Sequence, residues 1–269
     1  MAVSRMIIAF QLFTPILAPR RQNVWLLERW LAGAAAWERF PRTMTGRYPG
    51  MPDWIPMDAF DLPLARDTRH GCYQTTQAFF PYGGRLTADY RSKPALTAVA
   101  TGTNFASSGI FKAWHVIQPL WEIPVIAFVA DVTDPDRLFA LLDILEDNGL
   151  GGDRHRGYGH ITAIDLYQPD HSPIPIPPLS VNSAAWDTAD LPTRPLPWHN
   201  LTALEQAHCT DALYAGQLQL IPQRLVAPAW AAQHQTLCVL PATAWPEPLD
   251  ASDDSTDNET MAPTGSVKT

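Results

Sequence analysis

The hydrophobic and polar positions change period several times along the chain, and each period predicts an element. Residues 5–13, Arg-Met-Ile-Ile-Ala-Phe-Gln-Leu-Phe, are a nearly continuous apolar run of strand length, which predicts a mostly buried strand. Thr14-Pro15 and Pro19 close it. From about Val24 to Glu38 the period becomes helical, with Val24, Leu27, Leu31 and Ala35 on one face and Asn23 as N-cap. Gly33 among Ala32, Ala34, Ala35 and Ala36 predicts close packing of that helix against a sheet. Strands follow at 74–80, 110–117 and 123–130, the last with Pro124 at its start, where a missing N–H matters least. Asp134, Pro135 and Asp136 announce a second helix with the apolar stripe Leu138, Leu141, Leu142 and Leu145. Asn148-Gly149 predicts its left-handed cap. His160 to Tyr167 reads as the closing strand.

Collected, the order is strand, helix, strand, strand, helix, strand. That is a ferredoxin-like βαββαβ unit of the α+β class, occupying residues 1–167. Long insertions interrupt it. Residues 41–70 are rich in Pro and Gly with scattered Arg42, Arg47, Arg66 and Arg69, and loops of that length are usually functional or mobile. Residues 91–109 start basic and then turn small and polar. From 168 to 246 prolines dominate, with a helix expected over 201–216 and a late strand at 237–240. This predicts a proline-rich extension packed on the core. Residues 247–269 are acidic and rich in Ser and Thr, which predicts a disordered tail.

Composition narrows the class. The chain has 269 residues, 46% hydrophobic and 17% charged, with 26 prolines, which supports a core joined by extended connections. Cys72, Cys209 and Cys238 are far apart, so neither a zinc site nor a disulfide framework is implied and a reducing cytoplasm is expected. The apolar run Met6–Phe13 is broken by Gln11 and is too short for a leader, and no membrane span is expected. The net charge of −8 is uneven: residues 1–160 carry sixteen Lys/Arg against fifteen Asp/Glu, and residues 161–269 carry three against twelve. A local basic surface on the first part is compatible with that distribution.

The chemistry concentrates in one stretch, Gly149-Leu150-Gly151-Gly152-Asp153-Arg154-His155-Arg156-Gly157-Tyr158-Gly159-His160. It joins the second helix to the last strand and holds five glycines, two arginines and two histidines in twelve residues. Glycines permit positive φ and close backbone approach, and arginines beside exposed N–H groups suit phosphates. The loop follows a helix and opens a strand. That is the reverse of a Walker A loop or dinucleotide fingerprint, so a nucleotide cofactor is not expected.

A βαββαβ unit whose last helix-to-strand loop reads G-x-GG-x-R-x-R-G-Y-G resembles the RAMP superfamily of CRISPR-associated RNA-binding proteins. Three further features carry the likeness over about residues 5–245. Leu26 to Trp37 takes the place of the family's small-residue first helix. Gly109-Ile110-Phe111-Lys112-Ala113-Trp114 is similar to the family's G-x-F-K/R-x-aromatic strand. Arg194-Pro195-Leu196-Pro197 and Leu237-Cys238-Val239-Leu240-Pro241 are similar to the C-terminal segment of the type IV subunit equivalent to the Cas-five group. The resemblance implies an RRM-like fold and a non-catalytic subunit that binds the 5′ handle of the guide RNA (crRNA). Such a subunit caps the backbone filament of a surveillance ribonucleoprotein in antiviral and anti-plasmid defence. Its implied partners are that RNA, the backbone RAMP subunit and a large-subunit-like protein, with loop 41–70 a candidate contact for target DNA. No cofactor, metal or membrane is implied.

The expected RNA-binding set is Gly151, Gly152, Arg154, His155, Arg156, Gly157 and Tyr158 in the loop, Lys112 and Trp114 on one strand face, and Arg20, Arg21, Arg85, Arg91 and Lys93 as an extension of the track. If extended, Arg154 and Arg156 point to opposite faces. The alternative is an endoribonuclease that processes the repeat RNA, with His70, His115 or His155 as general base or an Arg-based mechanism through Arg29, Arg39 or Arg42. Residues 22–48 contain no histidine, whereas the endoribonuclease branch places one in or after the first helix. A metal-dependent or small-molecule enzyme is not expected, because no His/carboxylate ligand spacing or nucleophile motif is present.

Overall fold

The computed structural model describes residues 3–17, 24–40, 60–93, 114–151, 154–224 and 235–242. Its elements are β1 (Ser4–Leu12), β2 (Ile16–Leu17), α1 (Leu27–Arg39), β3 (Arg66–Asp67), β4 (Cys72–Tyr73), β5 (Arg85–Lys93), β6 (Trp114–Glu122), β7 (Val125–Val132), α2 (Pro135–Asn148), β8 (Ile161–Tyr167), β9 (Leu196–Pro197), α3 (Ala203–Tyr214), β10 (Leu218–Arg224) and β11 (Gln235–Pro241). The architecture is mixed α and β, with several small antiparallel sheets.

The central sheet has the order β7-β1-β8, all antiparallel. Ile7, Ile8, Ala9 and Phe10 on β1 are all fully buried. A strand covered on one face only would alternate apolar and polar, so this unbroken run requires cover on both faces. Ile8 and Phe10 face α1 and α2, in a core with Leu27, Leu31, Leu138, Leu141 and Leu145. Phe10, Trp30 and Phe128 meet there edge to face, with centroids 5.0 to 6.1 Å apart. Ile7 and Ala9 face the other way and pack with Val129, Ala127, Ile174 and Ala184. The proline-rich chain after β8 supplies that second cover.

Two ion pairs tie the extension down. Arg194 is fully buried, and its guanidinium pairs with Glu28 of α1. Its Nη1 donates to the Tyr73 carbonyl and to Thr75 Oγ1, each at 2.8 Å. Burial pulls the Arg194 pKa down, but the Glu28 charge outweighs it and the guanidinium is held above its ordinary value. Removing one partner of such a pair costs about 3–5 kcal/mol. Arg5 bonds Asp131 at 2.7 Å across β1 and β7 and donates to the Ser180 carbonyl at 2.7 Å. A second apolar cluster, Leu196, Leu201, Cys209, Ala212, Leu218 and Val239, sits within the extension and shares Cys72 with the rest.

Several elements differ from expectation. Residues 74–80 form isolated antiparallel bridges, Thr75 to Ala130 and Phe79 to Ala127, rather than a full strand beside β7. The intervening Gln77 N–H turns away to the Thr193 carbonyl at 3.0 Å, so the extension takes part of the ladder. The strand placed at 110–117 lies at β6, with residues 110–113 outside the described set. β5 was not anticipated; it pairs with β6 in a long ribbon over nine registered positions. Residues 60–65 belong to the core, with Phe60, Leu62 and Leu64 buried, because the Ala65 N–H bonds the Asp131 carbonyl. Residues 41–59, the linkers 18–23 and 94–113, and the acidic tail lie outside the described residues.

At the start of α1 the N-cap is Leu26, with no side-chain cap bond, in place of Asn23. The α2 cap is as expected at Asp134, which accepts from the Arg137 N–H at 3.0 Å. Gly149 ends α2 at φ 73, ψ 176, so it is an extended positive-φ turn and not the left-handed helical cap. Gly33 does not press on the sheet; a Cβ there meets nothing within 4 Å. Gly33→Ala should therefore stabilise the protein by about 0.5–1 kcal/mol through helix propensity alone. A urea titration that shows no gain, or a decrease, would contradict this placement.

Candidate nucleic-acid interface

The glycine-rich stretch passes from α2 to β8 as a compact turn, with a 3-10 segment at Arg154–Arg156. Its glycines have separate duties. The Leu150 N–H donates to the Gly159 carbonyl at 2.8 Å, and the Gly159 N–H donates to the Pro15 carbonyl at 2.9 Å. Both ends of the stretch are thereby clamped together and against the segment after β1. A Cβ on Gly159 would stand 2.1 Å from the Leu150 carbonyl oxygen, and one on Gly149 would stand 2.8 Å from the Gly159 oxygen. Gly151 abuts Ile16, where a Cβ would lie 3.0 Å from Cγ1. Gly157, at φ +87, faces open space.

The two arginines do different things. The 3-10 turn removes the extended alternation expected for them. Arg154 is half-buried, with its guanidinium carbon 4.0 Å from the centre of the Trp37 ring on α1, and its Nη1 reaches the Gly149 carbonyl at 3.4 Å. It pins the turn to α1. Arg156 is exposed at the corner beside Gly157. Tyr158 is half-buried, and its hydroxyl donates to the Asp89 carboxylate on β5. This bond moors the turn to the β5–β6 ribbon.

Of the other expected residues, Arg85 is exposed at the start of β5, with Glu122 at 3.8 Å. Arg91 and Lys93 lie on β5, and Lys93 is in register with Trp114 on β6. For Arg91, Lys93, Trp114, His115 and His155 only the backbone is described. Gly152, Lys112, Arg20 and Arg21 lie outside the described residues. The structure thus brings Gly151, Arg154, Arg156, Gly157 and Tyr158 together and sets β5 beside them.

Sequence reasoning passed over Trp37, Asp89, Phe13 and His160. Phe13, expected at the end of a mostly buried strand, is 75% exposed. Its ring meets the His160 imidazole edge to face at 6.3 Å. The nearest sequence signal is Pro15, which turns the chain just after the apolar run.

Of the three histidines named for catalysis, His70 is engaged elsewhere. His70 is 4% exposed, with Nδ1 2.5 Å from Asp67 Oδ2 and Nε2 3.3 Å from Glu205 Oε1. Burial raises the Asp67 and Glu205 carboxyls, but hydrogen bonds outweigh it and both are held below the usual range. The bonds come from His70 to Asp67 and from Thr202 to Glu205. Carboxyls so depressed add stability above their unfolded values and lose it as pH falls below them. The cluster therefore clasps the β3–β4 turn to the start of α3 at neutral pH. Burial also pushes the Cys72 thiol up to about 11 and Cys238 up to about 12, so neither is a nucleophile at neutral pH. Among the described residues no group of three His, Cys, Asp or Glu is placed to hold a metal ion. No helix among them is long and apolar enough to cross a membrane.

No protein-family profile matches the chain. No curated protein matches it either. Among solved structures, a chain of the cryo-EM structure of the Type III-B Cmr-beta bound to cognate target RNA is similar, with 12% identity and a TM-score of 0.36. The match covers 61% of this chain and 61% of that one.

The clamp makes a prediction. Gly159→Ala should cost at least about 2 kcal/mol, because a positive φ and a backbone clash coincide. Gly157→Ala should cost about half as much, since only the strain applies. Equal urea midpoints for the two variants would contradict the clamp.

Proposed function

We propose that this protein is a guide-RNA-binding subunit of a type IV CRISPR ribonucleoprotein. It holds the 5′ handle at the glycine-rich turn and performs no catalysis of its own. The observation that carries the reading is the Arg156–Gly157 corner: an exposed arginine on a backbone whose ends are clamped at glycines. A cation on a fixed frame binds phosphate with little ordering cost. The arrangement also supports a ferredoxin-like core, because residues 74–79, β7, β1 and β8 lie side by side in that order with both helices on one face.

The burial pattern narrows where RNA binds. In an RRM, bases stack on the open face of the sheet. Here the corresponding face of β1 and β7 is closed by Ile174, Ile176, Leu179 and Ala184. Among the described residues, that leaves RNA the end of the sheet, where the glycine-rich turn meets β5. Among the described residues, the β5–β6 ribbon and the outer surface of the extension are available to protein neighbours, the backbone and large-subunit-like chains. The repeat-cleaving alternative is disfavoured for His70, whose ring is buried between two carboxylates.

Arg156→Glu should weaken binding of single-stranded handle RNA about tenfold at low salt. It should also flatten the log K against log salt slope by about 0.7 for each phosphate that is no longer neutralised. Arg154→Glu should instead lower thermal stability, because the guanidinium no longer sits over the Trp37 ring. Fluorescence anisotropy across a salt series measures the first effect. An Arg156→Glu variant with unchanged affinity and slope would refute the cradle.

A further inference from the structure

We propose that Phe13, braced by His160, is a stacking platform for one unpaired nucleobase of the RNA whose phosphate sits at the Arg156–Gly157 corner. The proposal rests on the RNA-binding reading above and adds to it a base subsite. β1 ends at Leu12, and the chain then runs beside the start of β8. The Phe13 N–H donates to the His160 carbonyl at 2.9 Å, and the His160 N–H donates to Thr14 Oγ1 at 2.8 Å. Both residues are therefore fixed at the backbone, before any ligand arrives. The strand just behind, Ile7–Phe10, is wholly buried, yet the Phe13 ring is 75% exposed.

A single exposed apolar side chain is ordinary on a protein surface. Three features set this one apart. The imidazole approaches at an interplanar angle of 83°, a contact that orients the ring without lying flat on it. The segment carrying Phe13 is joined to the turn through the Pro15 carbonyl and the Gly159 N–H, so ring and phosphate corner share one frame. His160 is four residues from Arg156, which bounds that backbone span at about 14 Å. That is a distance a short oligonucleotide bridges. An aromatic face beside a phosphate site is the arrangement by which single strands are gripped without sequence readout, because every base offers a π face. The chemistry recognised is therefore an unpaired base of any identity next to a backbone phosphate.

The test uses the full chain and a short single-stranded RNA of handle sequence, with a second series in which an abasic site is walked along that RNA. Phe13→Ala should weaken binding about tenfold, and Phe13→Trp should restore it. One abasic position should weaken the parent protein by the same factor and leave Phe13→Ala unchanged. Thermal melts matching the parent would show that the weaker binding does not come from misfolding. If Arg156→Glu weakens binding but Phe13→Ala does not, the platform is wrong and the cradle stands. If Phe13→Ala weakens binding equally at every abasic position, the ring packs against protein and the platform is likewise overturned. If the parent binds no single-stranded RNA, both readings fall.

Discussion

The turn between α2 and β8 can exist only because two backbones touch where no side chain fits. The Gly159 Cα lies so close to the Leu150 carbonyl that any Cβ would overlap it. That closeness lets the chain reverse and enter β8 beside β1, and it aims the segment Arg154–Tyr158 outward as a corner. Once the ends are clamped, the cation–π contact of Arg154 on Trp37 and the Tyr158–Asp89 bond set the corner's tilt against α1 and β5. Glycine density here serves internal closeness first. Among the described glycines of the turn, Gly157 alone faces open space, and it stands next to the exposed Arg156.

The proline-rich extension has an equally physical logic. A β1 strand that reads Ile-Ile-Ala-Phe needs apolar cover on both faces, and two helices can cover only one. The chain after β8 provides the second cover with Ile174, Ile176 and Ala184, and charges fasten it: Arg194 to Glu28 in the interior, Arg5 to Asp131 and Ser180 nearer the surface. A buried ion pair adds little net stability over an apolar pair, but it penalises any docking in which one charge is left alone. The consequence for function is exclusion. With both faces of the central sheet occupied, a ligand is left the edges and the loop end, which is where the exposed Arg156 and Phe13 lie among the described residues.

Much of this was legible in the residues. The buried runs of β1 and β7 and the stripe and Asp134 cap of α2 follow from local rules, and they fell close to their expected bounds. β5 was missed although Leu86, Ala88 and Tyr90 alternate with Arg85, Thr87 and Asp89 in the strand period; its apolar face stays exposed at Leu86 and Tyr90, so pairing with β6 rather than a buried face holds it. The 74–80 strand was overread because the extension, a hundred residues away, takes one of its hydrogen bonds. In the turn, composition led to the expectation of a phosphate cradle, but the division of labour between Arg154 and Arg156 depends on Trp37. Local spacing holds no information about a partner that distant in sequence. The same holds for Asp89 and Tyr158, and for Glu205 of α3 beside His70, whereas Asp67, three residues before His70, is a local partner.

The central claim is that a prebuilt, glycine-clamped corner meets RNA without rearranging. Amide hydrogen exchange of the full chain, with and without single-stranded handle RNA, tests it most directly. The account predicts that the Leu150 and Gly159 amides already exchange slowly in the free protein, and that RNA adds protection at Arg156–His160. Fast exchange at Leu150 and Gly159 in the free protein, or RNA-induced protection confined to other segments, would contradict it.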